Sequence, residues 1–363
     1  MEKLGNIFNQ VSIPLKYTPR KFALHAPTRT FVVIESDHAT FSPSEKAKGI
    51  IEKENEGFEI DDDITNLDPL QFGHVRNAAG KWASCIRLIE PFEGRTLETI
   101  ELEDNEAAFS VAMVQFRQNP HATNSSEQFV IVGTGQNVNL SPRSCTSGYL
   151  HVYRVVQGEQ GQLRLHFIHK TPIDDVPYAM LAFQGRLLVG AGKSLRIYDI
   201  GKKKMLRKCE TKSIPNCIVS LHTQGHRVIA TDVQESVHYV IYKHADNRLV
   251  VFADDTIPRW MTGSTMVDYE TVAGGDKFGN FFVSRLPGSI SREVDEDTTG
   301  NRIYHEKGYL QGAPNKVCLN IIRLRSFYSI MYGRLIVYVN TLLEISLHHF
   351  IRLHFYQEAE KLY

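Results

Sequence analysis

The chain has 363 residues, with 41 basic and 41 acidic side chains, so no global field draws it to nucleic acid or to an anionic membrane. Its length admits one large or two ordinary domains with a substantial core. Five cysteines, at positions 85, 145, 209, 217 and 318, are odd in number and lack CxxC spacing, which argues against a zinc knuckle or a disulfide framework and for a reducing compartment. Residues 1–10 are polar, without the apolar core of a signal peptide, and no apolar run reaches the roughly 20 residues of a membrane span. The expectation is a soluble intracellular protein with no membrane partner.

In chain order, short apolar runs dominate between residues 11 and 286. They include Thr30–Ser36, Trp82–Ile89, Ala107–Phe116, Gln128–Gly133 and Gly148–Val156, followed by Arg186–Gly190, Ser194–Ile200, Arg227–Thr231, Val237–Tyr242 and Arg248–Phe252. Each is rich in β-branched, Leu, Phe or Tyr residues, and Gly, Asp, Asn or Pro punctuates the gaps, so the fold class is all-β. Persuasive helical periodicity is absent here, which argues against the alternating pattern of an α/β enzyme. The runs repeat. "VPYAMLAF" begins at Val176, "PNCIVSL" at Pro215 and "PRWMTGS" near Pro258, and aligning Tyr178, Cys217 and Trp260 gives offsets of 39 and 43 residues. Units of about 40 to 45 residues with four strands each mark propeller blades, and about twenty strands fill about five of them. "SVAMVQF" from Ser110 reads as an earlier copy followed by an insertion. Residues 41–80 hold nine acidic side chains and few strand formers, and read as a disordered acidic insertion. From about residue 313 to 363 the blade punctuation stops, and this tail reads as helical, as a misplaced strand run, or as misfolded.

Few residues point to chemistry. Gly133 with Gly135, and Gly190 with Gly192, lead into strands or polar loops and not into a helix whose amides would face a phosphate; tight turns between blade strands are expected. His166 and His169, and the trio His348, His349 and His354, lack the companion ligands of a metal site. Asp254 and Asp255 sit in a hairpin setting where adjacent carboxylates face solvent, which does not make a general acid/base pair. Nothing brings a nucleophile, a base and a metal together, so neither an enzyme, a cofactor nor a small-molecule substrate is expected. The run Lys202, Lys203 and Lys204 with Arg207 and Lys208 is the candidate nucleic-acid patch, although lysines at a turn also protect a sheet edge.

"EKLGNIFNQVSIPLKYTPRKFALH", "NEAAFSVAMVQF" and "NLSPRS" resemble a known family, as do "HKTPIDDVPYAMLAFQGRLLVGAGKSLRIYDIGKKKMLRKCE", "QGHRVIATDVQES" and "FADDTIPRWMTGSTMVDYETVAGGDKFGN". The family is that of splicing factor three-b subunit three, the spliceosomal branch of the triple-propeller proteins that include damaged-DNA-binding protein one and the large cleavage and polyadenylation specificity subunit. The similarity runs from about residue 2 to 312 and departs from the family after Gly312. It implies most of the third propeller, with the first two propellers and the last strands of the third lying outside this chain. It further implies a nuclear, non-enzymatic scaffold of the complex that recognises the intron branch site, holding helical-repeat and small helical subunits and meeting RNA indirectly. A direct nucleic-acid binder and a ubiquitin-ligase adaptor are the alternatives. By the same resemblance Val176, Tyr178, Cys217, Val219, Arg259 and Trp260 form one wall of a partner-binding cleft on the rim of the ring; the alternative is that Tyr178, Cys217 and Trp260 pack between blades as core.

Overall fold

A computed structural model describes residues 10–40, 81–103, 105–117, 127–158, 161–296, 311–312 and 334–338. The acidic segment 41–80 and most of the tail after residue 312 lie outside the described residues. Strand β1 (Gln10–Pro14) opens the chain, and five four-stranded antiparallel sheets follow in sequence order. Blade 1 is β2 (Pro19–His25), β3 (Thr30–His38), β4 (Trp82–Glu90) and β5 (Arg95–Glu101). Blade 2 is β6 (Glu106–Val114), β7 (Phe129–Gln136), β10 (Ser147–Gln157) and β11 (Leu163–Ile173), with the small hairpin β8 (Asn139–Leu140) and β9 (Arg143–Ser144) inserted. Blade 3 is β12 (Pro177–Phe183), β13 (Arg186–Ala191), β14 (Ser194–Ile200) and β15 (Met205–Thr211). Blade 4 is β16 (Ile218–Gln224), β17 (Arg227–Asp232), β18 (Val237–Lys243) and β19 (Arg248–Asp254). Blade 5 is β20 (Met261–Met266), β21 (Thr271–Asp276), β22 (Phe281–Arg285) and β23 (Gln311–Gly312), and helix α1 (Gly288–Glu296) follows β22. The first strands β2, β6, β12, β16 and β20 lie side by side in that order, which is the radial arrangement of a β-propeller.

The core lies between blades, and strand periodicity decides which neighbour each residue meets. In β7, Val130 and Val132 face Val32, Ile34, Ile86 and Leu88 of blade 1. The alternate residues Phe129 and Ile131 face Leu187 and Val189 of blade 3. One step on, Leu188 of β13 turns to Leu221, Val228 and Val240 of blade 4. The middle strands are therefore buried on both faces and read as nearly continuous apolar runs. The outer strands β5 and β15 are partly exposed and carry charged side chains, which protects an edge from pairing with other chains.

Two expectations need correction. Gly133 and Gly135 lie inside β7 and not in a turn. A Cβ at Gly133 would stand 2.7 Å from Pro177 Cγ, and one at Gly135 would stand 2.6 Å from Val176 Cγ2. These glycines let the first strand of blade 3 approach the second strand of blade 2. Gly190 repeats the arrangement against blade 4, where a Cβ would meet Ile218 Cβ at 2.8 Å; only Gly192, at φ +52°, sits in a turn. Asp254 is the exposed last residue of β19, and Asp255 opens the connection to β20, not a hairpin. Asp255 pairs with Arg259 and accepts from Ser236 Oγ at 2.7 Å, so it does not face solvent.

Helix α1 is held by a buried cation. The Arg227 guanidinium is fully buried, bonds Asp295 Oδ1 at 2.8 Å and lies 4.8 and 4.4 Å from the ring centroids of Phe252 and Tyr269. Lys243 Nζ donates to Val294 O at 2.8 Å. In the tail, β24 (Arg334–Tyr338) pairs antiparallel with β1, Gln10 opposite Tyr338 and Pro14 opposite Arg334.

The close approach at Gly190 is testable. Gly190→Ala should overpack the contact with Ile218 and lower stability by about 1–3 kcal/mol, read from the urea midpoint at unchanged m-value. An unchanged midpoint would show that the blades have room to spare.

Candidate interaction surface

Each blade has two ends. Blade-to-blade connections and the hairpins joining second to third strands form one, here the connection rim; the other hairpins form the opposite end. Carboxylates fix the rim. Glu35 at β3 is fully buried, and its Oε2 accepts from the backbone N–H of Lys16 at 2.8 Å and of Tyr17 at 2.9 Å. Arg87 bonds both Glu35 oxygens; burial opposes the guanidinium charge, but the Glu35 bond and charge outweigh it and hold its pKa above the usual value. Asp232 repeats the device in blade 4, its Oδ2 accepting from Asn216 N at 2.8 Å and Cys217 N at 2.9 Å. Burial works against the Asp232 charge, yet these amides and those of Gln234 and Glu235 hold its carboxyl below the usual range.

Every first strand then carries a bulge near its start, opposite a regular second strand, at Arg20, Phe109, Tyr178, Val219 and Thr262. A bulge re-aims one side chain out of the pleat. These five are the partly or fully exposed residues beside buried neighbours such as Ala108, Ala179, Ile218 and Met261. The register also revises the alignment of the repeats. Tyr178 is equivalent to Val219 and Thr262, whereas Cys217 and Trp260 are equivalent to Val176, each standing just before the first paired residue of its strand. The offset between Tyr178 and Cys217 therefore joined two different positions.

The predicted wall divides by burial. Val176 packs with Trp82, Ala107 and Val138 beneath the rim, and Cys217 is buried, its thiol pushed up to about 12 chiefly by desolvation. Tyr178 is half-buried, its ring 5.2 Å from that of Phe109 in an edge-on contact, and its carbonyl accepts from Lys21 Nζ of blade 1 at 2.8 Å. Val219 is half-buried. Arg259 pairs with Asp255 and lies 4.2 Å from the Phe282 ring centroid, which turns it along the blade. Trp260 is 41% exposed, with Lys277 Nζ 3.1 Å from its ring centroid and Lys277 N donating to its carbonyl at 2.8 Å. Ile257 and Phe278 are also exposed on this blade. The hairpin β8–β9 joins the rim too, since Arg143 Nη2 donates to Asn216 O at 3.2 Å, from blade 2 to the connection leading into blade 4.

The basic run lies elsewhere. Lys202, Lys203 and Lys204 form the turn from β14 to β15 at the opposite end, all exposed, with Arg207 and Lys208 exposed on the outer strand. Arg207 Nη1 donates to Glu210 Oε2 at 3.2 Å. The two predicted patches thus occupy opposite ends of the ring.

Sequence reasoning missed a buried polar cluster in blade 2. Glu106, without exposed surface, accepts from His151 Nε2 at 2.7 Å, from Lys170 Nζ at 3.0 Å and from Thr134 Oγ1. Burial raises its pKa, but these donors outweigh it and hold the carboxyl at about 2. The contributing residues come from four strands, so no spacing announces them. An acid beside a histidine resembles catalytic machinery, but with the pair buried no substrate reaches it, and its effect is on stability. Because the folded pKa is depressed from 4.5, the contribution is complete above pH 4.5 and is lost as pH falls toward 2. Glu106→Gln should cost on the order of 3 kcal/mol at neutral pH and flatten the acid limb of stability, measured by urea titration at several pH values. An acid limb unchanged in the variant would contradict this assignment.

Comparison with known proteins matches residues 83–351 to the family described as the CPSF A subunit region. The chain is 46% identical over 330 residues to "Splicing factor 3B subunit 3" of Danio rerio, covering 87% of this chain and 26% of that protein. It is 47% identical over 322 residues to "Pre-mRNA-splicing factor rse1" of Emericella nidulans, covering 88% and 26%. To "Spliceosome-associated protein 130 A" of Arabidopsis thaliana it is 42% identical over 334 residues, covering 87% and 27%. The chain spans about a quarter of the length of the curated relatives it matches. With a family match across most of the described blades and extensive identity to these relatives, the chain belongs to the CPSF A subunit region family of β-propeller proteins.

Proposed function

We propose that the chain is a non-enzymatic protein-interaction scaffold of the complex that recognises the intron branch site in nuclear pre-mRNA splicing. The names of the relatives support the pathway and with it the nuclear location. The observation that carries the scaffold reading is Trp260, a large aromatic left 41% exposed on a rim where Asp232, Asp255 and Arg259 are bound internally. Tryptophan flanked by arginine is a common anchor at protein interfaces. Cys217 and Val176 support that surface from beneath, and Tyr178 and Val219 extend it around the ring. The partners that suit such a surface are helical subunits presenting an apolar stripe, with RNA contacted through them.

Direct nucleic-acid binding is the second reading, and the exposed lysines at 202–204 favour it. Its signature would be a steep fall of RNA affinity with salt. The scaffold reading predicts that Trp260→Ala weakens association with the splicing subunits by about 2 kcal/mol while the thermal midpoint is retained. Affinity measured by titration of purified subunits checks this. Undiminished association, or global unfolding of the variant, would return Trp260 to a structural role.

A further inference from the structure

A concavity of about 220 Å³ lies at the opposite end of blades 2 to 4, far from the connection rim. Arg117, Gln184, Arg186, Asp199, Tyr242 and His244 line it. Arg117 follows β6, and its backbone N–H donates to Gly185 O at 3.1 Å, which fixes blade 2 against the β12–β13 turn. Arg186 is oriented by donating from Nη1 to Tyr242 Oη at 3.1 Å, and Tyr242 in turn donates to Asn247 Oδ1 at 2.7 Å. Its Nε stands 3.9 Å from Asp199 Oδ2, too far for a hydrogen bond. Arg117 has no ion pair among the described residues and is exposed. Two guanidinium groups therefore face one carboxylate.

Gln184 organises the histidines behind them. Its Nε2 donates to Gly225 O at 2.8 Å and approaches His226 Nδ1 at 2.9 Å, and its Oε1 lies 2.6 Å from His244 Nε2. With the amide donating, His226 Nδ1 is the acceptor and its Nε2 carries the proton. The His244 pKa is lowered by burial first and then by His226, Arg186 and Arg117.

We infer that this pocket receives the phosphate monoester of a phosphorylated serine or threonine on a partner peptide, clamped between Arg117 and Arg186. Guanidinium groups bind phosphate oxygens through paired, charge-assisted hydrogen bonds, and the doubly charged monoester matches two of them. Nucleic acid fits less well. Its recognition uses a groove that follows the backbone and open aromatic faces for stacking. Here the charges converge on one concavity, and the rings are engaged with one another, Phe183 with Tyr242 at 5.6 Å and Tyr242 with His244 at 4.6 Å. Lys202, Lys203 and Lys204 stand at the same end of blade 3, where they meet acidic residues flanking a phosphoserine.

The test titrates the 363-residue chain with a short glycine-flanked phosphoserine peptide, its unphosphorylated twin and a single-stranded oligouridine. The phosphopeptide should bind at least about tenfold more tightly than its twin, and inorganic phosphate should compete with it. Arg117→Ala and Arg186→Gln should each cost about tenfold or more, with the thermal midpoint retained, and Arg117→Lys should lose less because the charge remains. Equal binding of the two peptides, or undiminished phosphopeptide binding by Arg117→Ala, overturns the assignment. Oligouridine binding tighter than the phosphopeptide and abolished by Arg117→Ala would also overturn it, making the pocket a nucleic-acid contact.

Discussion

The fold rests on how closely the first strand of one blade lies against the second strand of the blade before it. At Gly133 and Gly190 the approach leaves no room for a methyl group, because Pro177 and Ile218 already occupy that space. That proximity lets alternate residues of each middle strand interdigitate with both neighbouring blades. Interiors packed this closely transmit small displacements instead of absorbing them. No blade owns its core, so the blades stabilise one another in series, and a disturbance at one contact is felt by two.

The same constraint shapes the two ends. At the connection rim the chain must cross from an outer strand to the next inner one while leaving backbone amides unpaired. Glu35 and Asp232 accept those amides, and the bulges that follow turn one side chain per blade toward the rim. A surface built on buried carboxylates and tight strand contacts changes little on binding, which limits the ordering cost that weakens association. The opposite end is assembled from hairpins of separate blades, and there polar side chains converge without a shared backbone scaffold. A protein anchor suits the first end and a single small anion the second.

Strand positions were legible because short apolar runs bounded by turn residues leave a direct trace, and Ser194–Ile200 emerges with its predicted bounds as β14. The blade period was legible for the same reason. What escaped depended on residues distant in the chain. Gly133 looks like a turn until Pro177 is seen against it. The equivalence of Tyr178 with Val219 was hidden because the prolines do not hold equivalent places: Pro177 is the first paired residue of β12, whereas Pro215 and Pro258 stand three residues before the first paired residues of β16 and β20. Helix α1 is short and polar, and Arg227 of blade 4 holds it. Among the candidate site residues, the exposure of Trp260 could be anticipated from its polar turn. The burial of Cys217 matches the alternative of packing between blades, and that of Val176 is imposed by neighbouring blades. The concavity proposed to receive a phosphate draws Arg117, Arg186 and His244 from three blades, and no local pattern announces it.

The central claim is that the connection rim, presented by rigidly packed blades, is the protein-binding face. Hydrogen–deuterium exchange of the chain, free and mixed with the splicing subunits proposed as its partners, tests it most directly. The account predicts new protection in residues 257–263 and 276–281 and around the turn at 174–178, with the middle strands β13, β14, β17 and β18 already protected in the free chain. Protection confined to the outer strands β5 and β15, with residues 257–263 exchanging as in the free protein, would contradict it.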